Sequence, residues 1–154
     1  MYVEFVKGMK FPTRNPEYSD FLDSFEDAGH VIEDDEVIVD IDNFSHEFCK
    51  QLIDFFGITT KTVWTDRGVH LYFNKVNSKL GKKNGICALG IPIELKNKIN
   101  EYMTDKRNGV ARRVENEDIK MEFTEIVAMK GYENRSDLED VSYTHRKLTT
   151  NRKV

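Results

Sequence analysis

Six residues, Val37-Ile38-Val39-Asp40-Ile41-Asp42, constrain the fold of this chain more than any other stretch. Side chains alternate between the faces of a β-strand, so Val37, Val39 and Ile41 share one face while Asp40 and Asp42 share the other. The run Thr65 to Phe73 repeats the separation, with Val69, Leu71 and Phe73 on one side and His70 and Tyr72 on the opposite one. A third run sends Ile91, Ile93 and Leu95 one way and Glu94 and Lys96 the other. Strands of this kind belong in a sheet with one apolar, covered face. Paired in one sheet, they gather three carboxylates, a histidine and a lysine on a single surface.

The connections between these strands are also readable. After Asp42, Asn43 or Ser45 is placed to cap a helix running to about Phe56, with Phe48, Leu52, Ile53 and Phe56 at helical spacing and Gly57 as its stop. Thr59 to Thr65 is rich in β-branched residues, and Asp66-Arg67-Gly68 turns it into the His70 strand as a hairpin. Gly68 leaves room for something to approach the backbone, and Arg67 adds a phosphate-compatible fork. A second hairpin is expected from Asn100–Thr104 and Val110–Val114 around Asp105-Lys106-Arg107-Asn108-Gly109. Nearer the N-terminus, Tyr2–Val6 reads as a strand. Ser19 or Asp20 is expected to cap a short helix with Phe21, Leu22 and Phe25 as its stripe, stopped by Gly29. His30–Ile32 is expected to begin a strand, and Glu33–Glu36 to form a solvated acidic turn. Residues 115–129 fit helix and strand equally.

Two carboxylates at i and i+2 on a strand stand roughly 7 Å apart, and a third from a neighbouring strand can close the gap around a hard cation. Magnesium or manganese suits such oxygens and keeps ligand places for substrate phosphates.

Composition narrows the alternatives. A chain of 154 residues with 39% hydrophobic content supports one cored domain. We expect that domain over residues 1–130 and a polar tail, partly disordered, over 131–154. Two cysteines, Cys49 and Cys87, with no C-x-x-C spacing argue against both a disulfide framework and a structural zinc site. No apolar run approaches a membrane span, so a cytoplasmic protein without membrane contact is expected. Charge is divided unevenly: residues 1–74 hold 6 Lys and Arg against 15 Asp and Glu, whereas residues 75–154 hold 17 against 12. The basic half, with a loop carrying Lys75, Lys79, Lys82 and Lys83, is suited to phosphates.

The ordered series VIVDID, TDRGVHLYF and GIPIELK resembles the three motifs of the archaeo-eukaryotic primase superfamily, and most closely the primase-polymerase domains of phage and plasmid replication proteins. The first motif of that family is D-x-D after hydrophobic residues, matched by Asp40 and Asp42. The second is a small residue, any residue and histidine, matched by Gly68-Val69-His70. The third is an acidic residue after hydrophobics, matched by Glu94, with Lys96 following. The resemblance spans about residues 2–114. It implies an α+β, RRM-like core: a mixed or antiparallel sheet with helices on its apolar face and the site on its open face. It further implies a template-directed nucleotidyl transferase in mobile-element or phage DNA replication. Asp40, Asp42 and Glu94 would hold two divalent ions, Mg²⁺ or Mn²⁺, in a two-metal mechanism, His70 would contact the nucleotide triphosphate with Arg67 and Lys96 as helpers, and Lys75, Lys79, Lys82 and Lys83 would track nucleic acid. Trp64 or Tyr72 would offer a ring for base stacking. The implied partners are a single-stranded DNA template or primer-template, an NTP or dNTP, and a replicative helicase or other replication protein.

Two other classes fit part of the pattern. Glu94-Leu95-Lys96 matches the E-x-K half of a PD-(D/E)xK-like magnesium-dependent nuclease, which uses one aspartate but gives His70 no task. A non-enzymatic nucleic-acid-binding replication module would keep the same surface without catalysis.

Overall fold

The computed structural model describes residues 1–75, 91–97 and 101–123, together with the backbone of 84–86. The polar tail at 131–154, Lys79, Lys82, Lys83 and Cys87 lie outside the described residues. In chain order the strands are β1 (Tyr2–Glu4), β2 (Tyr18–Ser19), β3 (Ala28–Val31), β4 (Glu36–Asp42), β5 (Thr62–Thr65), β6 (Gly68–Asn74), β7 (Asn84–Ile86), β8 (Pro92–Lys96), β9 (Tyr102–Arg107), β10 (Val110–Ala111), β11 (Val114–Glu115) and β12 (Met121–Glu122). Helix α1 (His46–Phe55) joins β4 to β5. The protein is therefore α+β, with mostly antiparallel sheets. Among the described residues no helix is long and apolar enough to cross a membrane.

The larger sheet runs β11-β5-β6-β4-β8-β7, and β12 joins β6 in parallel. Its apolar face carries the residues that alternation assigns to it: Val37, Val39, Ile41, Val69, Leu71, Phe73, Ile93 and Leu95 share one core with Cys49 and Leu52 of α1. The helix starts where Ser45 Oγ accepts from the Phe48 amide at 3.1 Å and ends before Gly57, whose φ of +63° suits a residue without Cβ.

The opposite face is not open along its whole length, as the resemblance implied. A smaller sheet, ordered β10-β9-β3-β1-β2, lies over one end of it. Ile38, Val63 and Tyr72 of the larger sheet meet Ile32 and Met103 in a second core. The reason is physical: Ile38 and Tyr72 lie on the polar face yet bury large apolar surface, which needs a cover. A single α-helix, rather than several, packs on the apolar face among the described residues.

Four local expectations are corrected. The short helix after Ser19 is only a 3-10 turn over Leu22–Ser24, with Phe21 74% exposed. Gly29 belongs to β3, where a Cβ would lie 2.1 Å from the Phe5 ring. Glu36 is not part of a solvated turn but opens β4 at 0% exposure. The second hairpin turns on two residues, Asn108 (φ +51°) and Gly109 (φ +77°), so β9 continues to Arg107. Positive φ at both central positions is the type I′ turn that matches strand twist.

Gly68 is required by its own sheet rather than by a ligand. A Cβ built there meets the Ile41 carbonyl oxygen at 1.9 Å, a backbone atom that cannot swing aside. Gly68→Ala is expected to cost about 3 kcal/mol or more in urea denaturation. A loss under about 0.5 kcal/mol would show that β4 and β6 are not so closely apposed.

Candidate functional site

Three strands assemble the site. In the register of the larger sheet Asp40 on β4 faces His70 on β6 and Glu94 on β8. Directly paired residues hold their Cβ atoms about 4.5–5.5 Å apart, so His70, Asp40 and Glu94 make one row across the sheet. His70 Nε2 lies 3.5 Å from Asp40 Oδ1. Glu94 Oε1 accepts from Lys96 Nζ at 2.6 Å. Asp42 occupies the next outward position and is paired with Gly68, which brings no side chain to compete for the adjoining space.

A cleft of about 420 Å³ opens beside this row, bordered by Asp40, Asp42 and His70 on the larger sheet and by Met103, Thr104 and Arg107 of β9. Lys10, Arg67, Lys96 and Arg112 add positive charge to its lining. Acidic and basic groups thus share one concave, solvent-reached space, the arrangement that admits an anionic ligand together with a cation.

Of the residues singled out in the sequence, Asp40, Asp42, His70, Arg67 and Lys96 line the cleft. Glu94 is Asp40's direct neighbour, but its carboxylate is tied to Lys96. Lys75 is held elsewhere, its amide donating to the Asp35 carbonyl at 2.7 Å and its Nζ to the Asn97 carbonyl at 3.4 Å. Tyr72 is fully buried and offers no ring face to a base. Trp64 is 6% exposed, with the His46 ring centroid 4.9 Å away and the Arg113 guanidinium 4.9 Å from its ring. Neither aromatic residue is a free stacking platform.

Sequence reasoning missed Lys10, Arg107 and Arg112, because they arrive from the smaller sheet and its loops. The available signal was the Asn108-Gly109 turn, which carries basic residues on both of its arms. Asp105 was missed too. Ala28 pairs with Lys106 and Gly29 with Thr104, so Asp105 is the extra residue of a β-bulge. Burial pushes its carboxyl up, against the opposing pull of His30, Lys61, His70 and Arg112. Asp105 Oδ1, His70 Nδ1 and Tyr72 Oη are buried without a hydrogen-bond partner among the described residues.

No three His, Cys, Asp or Glu side chains among the described residues are drawn together as a ready metal-binding group. The donor chemistry nevertheless suits a hard cation. Asp40 and Glu94 are like charges in directly paired positions, an arrangement that is unfavourable without a counter-ion, and Lys96 now serves Glu94 in that capacity. No family model, curated protein or solved structure matches the chain. What fold and geometry define is a two-sheet α+β protein with a carboxylate row beside a basic cleft.

Proposed function

We propose that this protein is a primase-polymerase-like nucleotidyl transferase, extending a nucleic-acid strand on a single-stranded DNA template in phage or plasmid replication. The observation that carries this reading is the row His70-Asp40-Glu94, with Asp42 beside it at the edge of a cleft that also bears Arg67, Lys96, Arg107 and Arg112. Asp40 and Asp42, joined by Glu94 on release from Lys96, would hold Mg²⁺ or Mn²⁺. Two such ions would be needed, one to lower the pKa of an attacking 3′-hydroxyl and one to neutralise the departing pyrophosphate. His70 donates to the triphosphate of an NTP or dNTP, and Arg67 and Lys96 supply further donors. The reaction forms a bond from the 3′-oxygen to the α-phosphorus and breaks the bond from that phosphorus to pyrophosphate. The setting is the cytoplasm, with a replicative helicase or another replication protein as partner.

A second reading is supported by the 2.6 Å contact between Glu94 and Lys96 beside Asp40, the acid-lysine pairing of a magnesium-dependent nuclease. A labelled primer-template incubated with dNTPs and Mn²⁺ separates the readings. Lengthening of the primer supports transfer, shortening supports the nuclease, and a mobility shift alone supports a binding module. In the same assay His70→Ala is expected to raise the KM for the nucleotide about ten- to one-hundredfold with a smaller fall in kcat. An unchanged KM would remove His70 from the nucleotide site.

A further inference from the structure

A second groove of about 600 Å³ is lined by residues of the β9–β10 hairpin together with His46, Trp64, Thr65 and Asp66. Thr65, Asp66, Arg107 and Arg112 line both this groove and the cleft, so the two adjoin at the β9–β10 hairpin. This groove adds Arg113 and His46, and its lining includes Val110, which is 70% exposed. Three arginines therefore share its lining with Asp66, and the Glu115 carboxylate lies 3.8 Å from Arg113 Nη2.

Arg107 and Arg113 are anchored through their side chains and Arg112 through its backbone. Arg107 Nε donates to the Gly8 carbonyl at 2.9 Å, and the Arg112 amide donates to the Asp105 carbonyl at 2.8 Å. The Arg113 guanidinium lies 4.9 Å from the centre of the Trp64 ring. An arginine fork has five donors, so one used in anchoring leaves capacity for phosphate oxygens. Asp27 supports the whole arm: its Oδ2 accepts from the Gly8 amide at 2.9 Å and from the Asn108 amide at 3.1 Å. Positioned cations are what a repeating anion needs, because less order is lost when it binds.

We infer that the β9–β10 hairpin, through Arg107, Arg112 and Arg113, is the track along which a single strand of nucleic acid runs between the carboxylate cleft and solvent. This assignment rests on the proposed function for the polymer's role, but the binding itself requires no turnover. The sequence had suggested the loop Lys75–Lys83 for that task; Lys75 is instead turned to the Asn97 carbonyl. A single strand fits better than a duplex, because the volumes are those of small-molecule sites and the walls come from both sheets. It also fits better than an acidic peptide: three guanidinium groups suit a chain of phosphates, while exposed Val110 and Ala111 offer an apolar ledge for bases.

The test is fluorescence anisotropy of a labelled oligothymidylate of about twelve nucleotides, titrated with the full chain at several salt concentrations. Each phosphate contact to a single strand contributes about −0.7 to the slope of log K against log salt. Arg112→Ala/Arg113→Ala is expected to bind about tenfold or more weakly and to flatten the slope by about 1.4. Ala111→Glu, an exposed change that spares every arginine, is expected to weaken binding as well, so a folding defect in the double variant leaves the test intact. Asp40→Asn/Asp42→Asn should bind at least as tightly as the parent, even if no nucleotide is ever incorporated. That separates failure of this groove from failure of the catalytic reading. Unchanged binding in both groove variants, binding lost instead on replacing Lys75, Lys79, Lys82 and Lys83, or polyglutamate competing as well as the oligonucleotide would each overturn the assignment.

Discussion

Asp40→Asn is expected to reduce nucleotide incorporation about a thousandfold or more while leaving the thermal unfolding midpoint within about 2 °C of the parent. The residue is the middle member of the row, with His70 on one side and Glu94 on the other, so among the described residues no other carboxylate is paired with both. Asparagine keeps the size of the side chain and removes its charge, which isolates the electrostatic part of its role. A thousandfold is about 4 kcal/mol of transition-state stabilisation, of the order that a single catalytic charge supplies. Stability should be little affected because Asp40 is partly exposed and its contact with the His70 ring is a long one, 3.5 Å. Single-turnover primer extension measures the loss. An Asp40→Asn protein with more than a tenth of parental activity would mean that the chemistry lies elsewhere.

Lys120→Met is expected to have the largest effect on stability, about 3–5 kcal/mol. Glu36 is fully buried, with His30 Nε2 at 2.7 Å from one carboxylate oxygen and Lys120 Nζ at 2.7 Å from the other. Burial alone would raise its pKa. The hydrogen bond and charge of His30, followed by the bonds from Lys120 and the Glu33 amide, more than reverse this and hold it at about 2, below an ordinary 4.5. Removing Lys120 leaves a buried carboxylate with one partner fewer and loosens the adjoining β12 from the end of β6. The lowered pKa also fixes a pH dependence. Between about pH 2 and 4.5 the unfolded chain binds a proton at this position that the folded chain does not. Its contribution is therefore complete above about pH 4.5 and falls by about 3 kcal/mol as acid approaches pH 2. Urea denaturation of the parent and of Glu36→Gln across that window measures it: the parent should lose stability more steeply than the variant, and parallel curves would contradict the role given to the triad.

The larger sheet was legible because its strands separate apolar from polar residues with a period of two. Val37, Val39 and Ile41 against Asp40 and Asp42 leave one arrangement that buries the first set, and the Asp66-Arg67 turn fixes how β5 meets β6. Ser45 and Gly57 likewise announce the ends of α1 through local chemistry. The smaller sheet was not legible, since β3 finds β9 across some seventy residues and short strands carry little pattern. Ile38 and Tyr72 were the overlooked sign, two large apolar side chains on the face that was expected to be open. Glu36 was hidden for a related reason. It ends a run of four acids that looks solvated, and its partners, His30 and Lys120, are distributed on either side of it in the chain. The cleft's second wall followed from the same gap, because Lys10, Arg107 and Arg112 reach the site only through a sheet that alternation did not reveal.

Asp40, Asp42 and Glu94 are proposed to serve divalent cations beside a nucleotide, and the most direct test is a crystal soaked with Mn²⁺ and a non-hydrolysable nucleoside triphosphate. The expected result is an anomalous peak bounded by Asp40 and Asp42, with Glu94 released from Lys96 and the triphosphate reaching His70. A triphosphate bound away from this cleft, or Glu94 still joined to Lys96 with no manganese beside Asp40, would contradict it.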